Sequence, residues 1–204
     1  MWIINIEQAC VQLKNSPKEI HIMMKNNHHD SEMLVDFLEL LESNTSLIEL
    51  SLDCNYIITD KLTIALDDAI PKMIKKNKTL KTIIFSTILF GRIKFLEKFA
   101  DALKENETIN TIHFIACKFN IDELDFICKT ILKHERITHF QLSLNDFQAR
   151  HCEIISTLLK QTKTLTVLNL ENNQIMTKGF EIISTAFAQN KTLEKLYSGF
   201  NIID

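Results

Sequence analysis

The chain has 204 residues, 46% of them hydrophobic, which is enough for one sizeable core. Its formal net charge of −3 excludes the strongly basic balance that is typical of nucleic-acid-binding proteins. The five cysteines are an odd number at spacings that match neither a disulfide framework nor a paired zinc motif, so we expect reduced thiols in a cytoplasmic protein.

The first residues carry no basic segment ahead of an apolar run, and no stretch approaches the roughly 18 apolar residues of a membrane helix. We therefore expect neither a cleavable signal peptide nor a role in the membrane. Ile6, Ala9, Cys10 and Leu13 stand at helical spacing. They predict an N-terminal capping helix within residues 1–16 that shields the first strand, because terminal repeats generally need such a cap.

From residue 17 to residue 204 the sequence repeats one pattern, Leu-x-x-Leu-x-Leu-x-x-Asn with substitutions. Its seven copies start at the anchor residues Pro17, Leu47, Leu80, Ile109, Ile137, Leu165 and Leu193. The anchors are separated by 30, 33, 29, 28, 28 and 28 residues, and such regularity is typical of repeats that stack. The third and fifth residues after each anchor are mostly apolar and alternate with polar ones, which predicts one short strand per repeat.

A helix is predicted between successive strands. From the second anchor onward, apolar residues stand ten and six positions before the anchor, and this four-residue gap places them on one helical face against the strands. Three positions before the anchor, Asn suits the turn that ends the helix, at Asn44, Asn77, Asn106 and Asn190.

Helix starts carry weaker signals. Ser31, Thr59 and Thr177 are predicted as N-caps, since their side chains can accept a hydrogen bond from the first helical turn. Pro71 lies late in the helical run from Asp60 to Lys76, and we expect a kink or a short break there.

The period of about 28 residues, the strand and helix in each repeat and the Asn after the strand resemble leucine-rich repeats of the ribonuclease-inhibitor class. The resemblance covers residues 17–204 and implies one α/β domain, a right-handed solenoid of about seven strand–helix repeats with parallel strands on its concave face. It also implies that Asn55, Asn145, Asn173 and Asn201 stack their amides against the loop backbone of neighbouring repeats. No helix follows the last strand, so we expect the C-terminal cap to be missing.

Strand residues two, four and six positions after each anchor are expected to point to the concave face, where this family commonly binds its partners. They predict a partner-binding surface made of Glu19, His21, Glu49, Asp53, Ile84, His113, Ile115, His139, Gln141, Asn169, Glu171 and Tyr197. Its N-terminal part is acidic, with Glu19, Glu49 and Asp53.

Apolar residues on the same surface favour a protein partner. We expect Ile84, Ile115 and the rim residue Leu144 to be exposed. Tyr197 and the rim residue Phe200 are aromatic anchors of the kind that concentrate binding energy. Alternatively, these two pack against a C-terminal segment that the chain lacks.

Three groups of residues invite a chemical role. His113 and His139 fall on adjacent predicted strands, but the nearby Gln141 and Thr111 are poor metal ligands, so two ordinary surface histidines are expected. The His-His-Asp run at residues 28–30 is expected to be solvated. Cys152, next to His151, falls in the helical core row, where a buried thiol is inert. We therefore predict no catalytic residue, no cofactor and no metal site, in a protein that is not an enzyme.

The sequence thus favours a protein–protein interaction module, and the lysine-rich runs at 72–78 and 94–104 are expected to be a solvated face rather than a nucleic-acid site. Composition and the repeat suit a bacterial effector that acts in a host cell and reaches it without a cleavable signal peptide. Two alternatives remain open: a regulator of a small GTPase, as the resemblance implies, and the recognition part of a larger enzyme that continues beyond Asp204. The uncapped last strand also predicts end-to-end self-association.

Overall fold

The computed structural model describes residues 3–23, 28–53, 60–87 and 93–201. The chain divides into two compact halves, Met1–Ile109 and Asn110–Asp204. In the N-terminal half the elements are β1 (Ile3–Ile4), α1 (Ile6–Leu13), β2 (Glu19–Met23), α2 (His28–Glu42), β3 (Glu49–Asp53), α3 (Asp60–Lys76), β4 (Thr82–Ser86) and α4 (Ile93–Glu105). In the C-terminal half they are β5 (Thr111–Ile115), α5 (Ile121–Lys133), β6 (His139–Gln141), α6 (Ala149–Gln161), β7 (Val167–Asn169), α7 (Met176–Gln189) and β8 (Lys195–Tyr197).

Within each half the strands are parallel and follow one another in chain order. In the N-terminal half Ile20 pairs with Leu50, and Leu50 with Ile83. In the C-terminal half Phe140 pairs with both Ile112 and Leu168. These pairs are the residues three positions after the anchors, so the repeat register read from the sequence is the register of the sheets. The predicted α/β solenoid of parallel strands is confirmed.

The core lies between strands and helices. Leu50 and Leu52 of β3 are fully buried, and so is Phe85 of β4. Phe85 packs edge-on against Phe95 and Phe99 of α4, with ring centroids 6.2 and 5.8 Å apart. Burying an aromatic side chain of this size contributes roughly 2–3 kcal/mol.

The asparagines that follow β6, β7 and β8 join successive repeats. Asn145 accepts hydrogen bonds from the backbone N–H groups of Cys117 and Lys118, both at 2.9 Å, and donates to the carbonyl of Phe114 at 2.8 Å. Asn173 and Asn201 bond the preceding loop in the same way. The predicted stacking is confirmed at these three positions, while Asn55 lies outside the described residues.

A second asparagine series, at the helix ends, also crosses between repeats. Asn106 donates to the carbonyls of Ile74 and Asn77, at 2.6 and 3.1 Å, and accepts from the N–H groups of Thr108 and Ile109, both at 2.8 Å. The sequence predicted only the turn. The contact to the preceding repeat satisfies carbonyls at the end of the previous helix that would otherwise lack a partner.

Several local predictions were wrong. Of the kink or short break expected at Pro71, the break is absent: helix α3 is continuous there, because packing against both α2 and α4 outweighs the loss of one backbone hydrogen bond. A kink at Pro71 stays a prediction. Helix α2 begins three residues before Ser31, and α7 begins before Thr177, so neither residue is an N-cap. Thr59 lies outside the described part of the chain. Strand β1, which pairs with β2 ahead of the predicted capping helix α1, was not anticipated.

Among the described residues, no helix is both long and apolar enough to span a membrane.

Candidate functional site

The predicted surface residues of the N-terminal half form rows across its strands. Glu19 pairs with Glu49, and Glu49 with Thr82. The central row is His21, Ser51 and Ile84, and Asp53 pairs with Ser86 in the next one.

Exposure differs sharply within these rows. Glu19 is exposed, and Glu49 and Asp53 are half-buried. His21 and Ile84 are only 8% and 9% exposed, so the expectation that Ile84 presents an apolar patch was wrong. Central-row side chains stand about 4.8 Å from their neighbours on parallel strands and cover one another. His21 and Ile84 therefore offer a partner little contact area.

Polar contacts orient the acidic side chains of β3. The Thr87 hydroxyl donates to Oδ1 of Asp53 at 2.6 Å. His21 Nε2 lies 3.3 Å from Oε1 of Glu49. One ligand atom from each of Glu19, His21 and Glu49 lies within 4.8 Å of the others, the one grouping of this kind among the described residues. These three side chains could hold a metal ion, whereas the sequence predicted no metal site.

The surface of the C-terminal half is braced by its own hydrogen bonds. Glu171 donates its backbone N–H to Oδ1 of Asn169 at 2.8 Å, and Nδ2 of Asn169 donates to Oε2 of Glu171 at 3.1 Å. Gln141 donates to the hydroxyl of Ser143 at 3.0 Å. These polar side chains are therefore held in place before any partner arrives.

The two histidines of this half differ in environment. His113 pairs with Gln141 and His139 pairs with Thr111, so the two lie on adjacent strands two residues out of register, as predicted. His139 is exposed, with Nδ1 2.9 Å from the hydroxyl of Thr138. Burial, and to a smaller extent the charge of His139, lowers the pKa of His113 to about 4. His113 is therefore neutral at pH 7.

Apolar side chains on this half are exposed at the strand ends. Leu144 is 48% exposed, Tyr197 43% and Phe200 84%, while Ile115 is half-buried. A phenylalanine that is more than four-fifths exposed is unusual in a folded domain. The predicted exposure of Leu144 is confirmed.

The rim position, seven residues after each anchor, adopts a left-handed backbone throughout the described repeats. The φ angle is +55° at Thr87, +54° at Ala116, +61° at Leu144, +55° at Asn172 and +54° at Phe200. Such a φ is uncommon outside glycine and asparagine. The backbone N–H of Leu144 donates to the carbonyl of Glu171, and that of Asn172 to Gly199, which carries the hydrogen-bonded ladder beyond the strands. Only Asn172 has a residue type that signals this conformation, so the sequence did not reveal it.

Cys152, predicted to be a buried and inert thiol, is buried in the structure. Burial raises the pKa of Cys152 to about 12, and the side chain is fully buried. Its neighbour His151 accepts a hydrogen bond at Nδ1 from the Gln148 N–H, 3.0 Å away, and stacks on Phe147. That histidine braces the start of α6. Of the other residues weighed for chemistry, the side chains of residues 28–30 lie outside the described ones.

The lysine-rich helices are paired with acids rather than arranged as a free basic patch. Lys72 lies 3.0 Å from Glu39, and Lys76 lies 2.7 Å from Glu42. Lys98 lies 2.5 Å from Asp68 of the preceding helix. Exposed pairs of this kind add little stability, and they offset part of the positive charge of these helices.

No protein-family model matches the chain, and no curated protein matches it. The solved structures that are similar to it over most of their length include the following two. Leiomodin-1 actin-binding site 2 shares 20% identity, with 91% of this chain and 88% of that one covered and a TM-score of 0.39. The tropomodulin C-terminal domain of Caenorhabditis elegans shares 13% identity, with 92% and 93% covered and a TM-score of 0.43.

Proposed function

We propose that the protein binds a protein partner through the strand face and rim of its C-terminal half. The observation that carries the proposal is the exposure of Leu144, Tyr197 and Phe200 on this one side of the repeats. Large apolar and aromatic side chains surrounded by polar ones are typical of the centre of a protein interface. They are costly to leave in water and gain most when a partner covers them.

The polar neighbours of these residues support the same function. Asn169 and Glu171 are bonded to each other, and the half-buried His113 is neutral. Because the side chains of Asn169 and Glu171 are already ordered, they lose less conformational entropy when a partner binds them. A neutral imidazole is also less costly to desolvate in an interface than a charged one.

Affinity capture from cell lysate with matched variants tests this function. We would replace Leu144 and Phe200 by Asn, which tolerates the left-handed backbone, and Tyr197 by Thr. The control replaces Leu40 and Ile64, which are 55% and 65% exposed on helices α2 and α3, by Gln.

The face variant is expected to lose at least about tenfold of the captured partner, which corresponds to about 1.4 kcal/mol, while the control retains it. Unchanged circular dichroism and melting temperature in both variants confirm that each folds. Equal capture by the face variant and the wild type would contradict the proposal and place the binding surface elsewhere.

The more specific interpretation, a bacterial effector that acts in a host cell, rests on composition and on the resemblance of the repeats. It predicts that a host cytosolic protein is captured and that a lysate of bacterial cells yields none. For the alternative, a regulator of a small GTPase, the protein would be added to a panel of GTPases, and unchanged hydrolysis throughout would reject it. The absence of enzymatic activity remains a prediction.

A further inference from the structure

A cluster of three metal-ligand side chains lies on β2 and β3 of the N-terminal half. Glu19 and Glu49 are direct cross-strand partners, and His21 stands two residues further along β2 on the same face. One ligand atom from each side chain lies within 4.8 Å of the other two. The partner-binding function proposed above concerns the C-terminal half and does not use this cluster.

His21 gives an independent indication of a ligand-binding position. The residue is 8% exposed and its side chain 10%, yet Nε2 has no hydrogen-bond partner. Nε2 is only 3.3 Å from Oε1 of Glu49, but the two atoms do not form a hydrogen bond. A buried polar atom without a partner is unfavourable and rare in folded proteins. A cation between the two side chains would satisfy both of them.

The spacing of these atoms fits a small tetrahedral ion. Two ligand atoms bound to zinc at about 2.0–2.1 Å in tetrahedral geometry lie about 3.3–3.4 Å apart. The distance of 3.3 Å between Nε2 of His21 and Oε1 of Glu49 equals that edge. Glu19 is exposed, so its side chain is free to move the short distance that brings its carboxylate into the same coordination sphere.

Charge and ligand type point to the same class of ion. Two carboxylates balance the charge of a divalent cation, and within the described residues neither Glu19 nor Glu49 is ion-paired to a lysine or arginine. Imidazole nitrogen suits zinc and its transition-metal neighbours, whereas magnesium and calcium prefer oxygen ligands.

We propose that Glu19, His21 and Glu49 bind one Zn²⁺ ion, with a fourth position left for water. The ion would link β2 to β3 and would give the buried Nε2 of His21 a partner. Because three protein ligands with an open position also define catalytic zinc sites, the ion would be accessible to a small anionic or carbonyl-bearing ligand.

Titration of zinc into metal-free protein that carries no histidine tag tests the site. A chromophoric chelator as competitor gives affinity and stoichiometry. We expect one equivalent to bind with saturation and to raise the melting temperature. His21→Gln and Glu49→Gln are each expected to weaken binding by at least about tenfold, the lower limit seen even when only a supporting residue of a metal site is changed.

Other zinc ligands in the chain serve as controls. The substitutions His113→Gln and His139→Gln each remove a described histidine that does not belong to the cluster, and both are expected to leave the affinity unchanged. Two-dimensional NMR of the histidine ring nitrogens in the unmodified chain gives a readout that does not depend on the folding of a variant. Zinc is expected to shift the Nε2 resonance of His21 and to leave the ring-nitrogen resonances of His139 unchanged.

Three results would overturn the site. The first is that the wild type shows no saturable zinc binding. The second is that His21→Gln binds zinc as tightly as the wild type. The third is that only a control variant loses zinc binding.

Discussion

Single buried asparagines hold neighbouring repeats together. Each offers two donors and a carbonyl oxygen in a side chain short enough to stay rigid. Asn106, which is 2% exposed, uses both ends: its amide group bonds two carbonyls of the preceding repeat, and its oxygen caps two N–H groups of its own turn. Removing it leaves backbone groups buried and unpaired in two repeats at once.

Asn106→Ala is therefore expected to lower the free energy of unfolding by about 2–4 kcal/mol. Urea denaturation at pH 7 measures it. The matched control is Asn110→Ala, because Asn110 is exposed and its side chain bonds only the hydroxyl of Thr111. That change is expected to stay within about 0.5 kcal/mol. Equal effects of the two substitutions would show that the bridge between repeats contributes nothing.

His113 makes stability depend on pH. Its pKa is about 4 in the folded chain and about 6.5 when unfolded, so the unfolded state binds more protons between these values. The contribution of neutral His113 is complete above pH 6.5 and is lost as the pH falls toward 4. The two pKa values correspond to a loss of about 2 kcal/mol between pH 7 and pH 5.

Denaturation at pH 7, 6 and 5 tests this dependence in the wild type, in His113→Gln and in the control His139→Gln. His113→Gln is expected to lack this part of the decline. His139→Gln should keep most of it, because burial rather than the charge of His139 is the larger cause of the lowered pKa. Parallel curves for the wild type and His113→Gln would contradict the assignment.

At the scale of elements, helices α6 and α7 approach each other closely at Gly179. A methyl group there would lie 2.6 Å from Cγ2 of Ile175, 2.8 Å from Sγ of Cys152 and 3.3 Å from the backbone Cα of Ala149. None of these distances is a normal carbon contact, so the helices would have to move apart. Glycine weakens a helix by about 1 kcal/mol relative to alanine, and here close packing offsets that loss.

Gly179→Ala is expected to destabilise the protein by about 1–2 kcal/mol net, despite its better helix propensity. Gly199→Ala is the matched control, since its methyl would approach only the side chain of Glu171, with Oε1 at 3.3 Å and no backbone atom nearby. If the contact with sulfur causes the strain, Gly179→Ala should cost less in a Cys152→Ala background. A stabilising effect of Gly179→Ala would show that the helix pair tolerates the methyl group.

The strands were predictable from the sequence because, with the one exception of Ser198, apolar residues fall at the same two positions after each anchor even where the loops differ in length. Helix starts were not, because α7 begins at Met176 without a side-chain cap. The left-handed backbone at the rim positions could not be predicted, because Leu144 and Phe200 are not residue types that favour it. Glu19 and Glu49 can be aligned from the repeat alone, but the burial of His21 requires the packed structure.

At the scale of the whole molecule, successive repeats share the same hydrogen bonds but differ in burial. The N–H of Lys195 donates to the carbonyl of Thr166 at 3.0 Å, and that of Val167 donates to Thr138 at 3.0 Å. Leu168 of β7 is fully buried, whereas Leu196 of β8 is half-buried. In a stack of repeats each one is stabilised chiefly by its neighbours, so we expect β8, whose Leu196 is less buried, to open more readily than β7 in this 204-residue chain.

Amide hydrogen exchange should resolve this difference. At low protein concentration the N–H of Lys195 is expected to exchange at least about tenfold faster than that of Val167, because local opening of β8 breaks fewer apolar contacts. Raising the concentration distinguishes the predicted end-to-end self-association: if a second copy covers β8, protection of Lys195 rises with concentration while that of Val167 stays constant. Equal exchange at both positions in dilute protein would mean that β8 is as firmly held as the interior strands, and that burial does not set the order of opening.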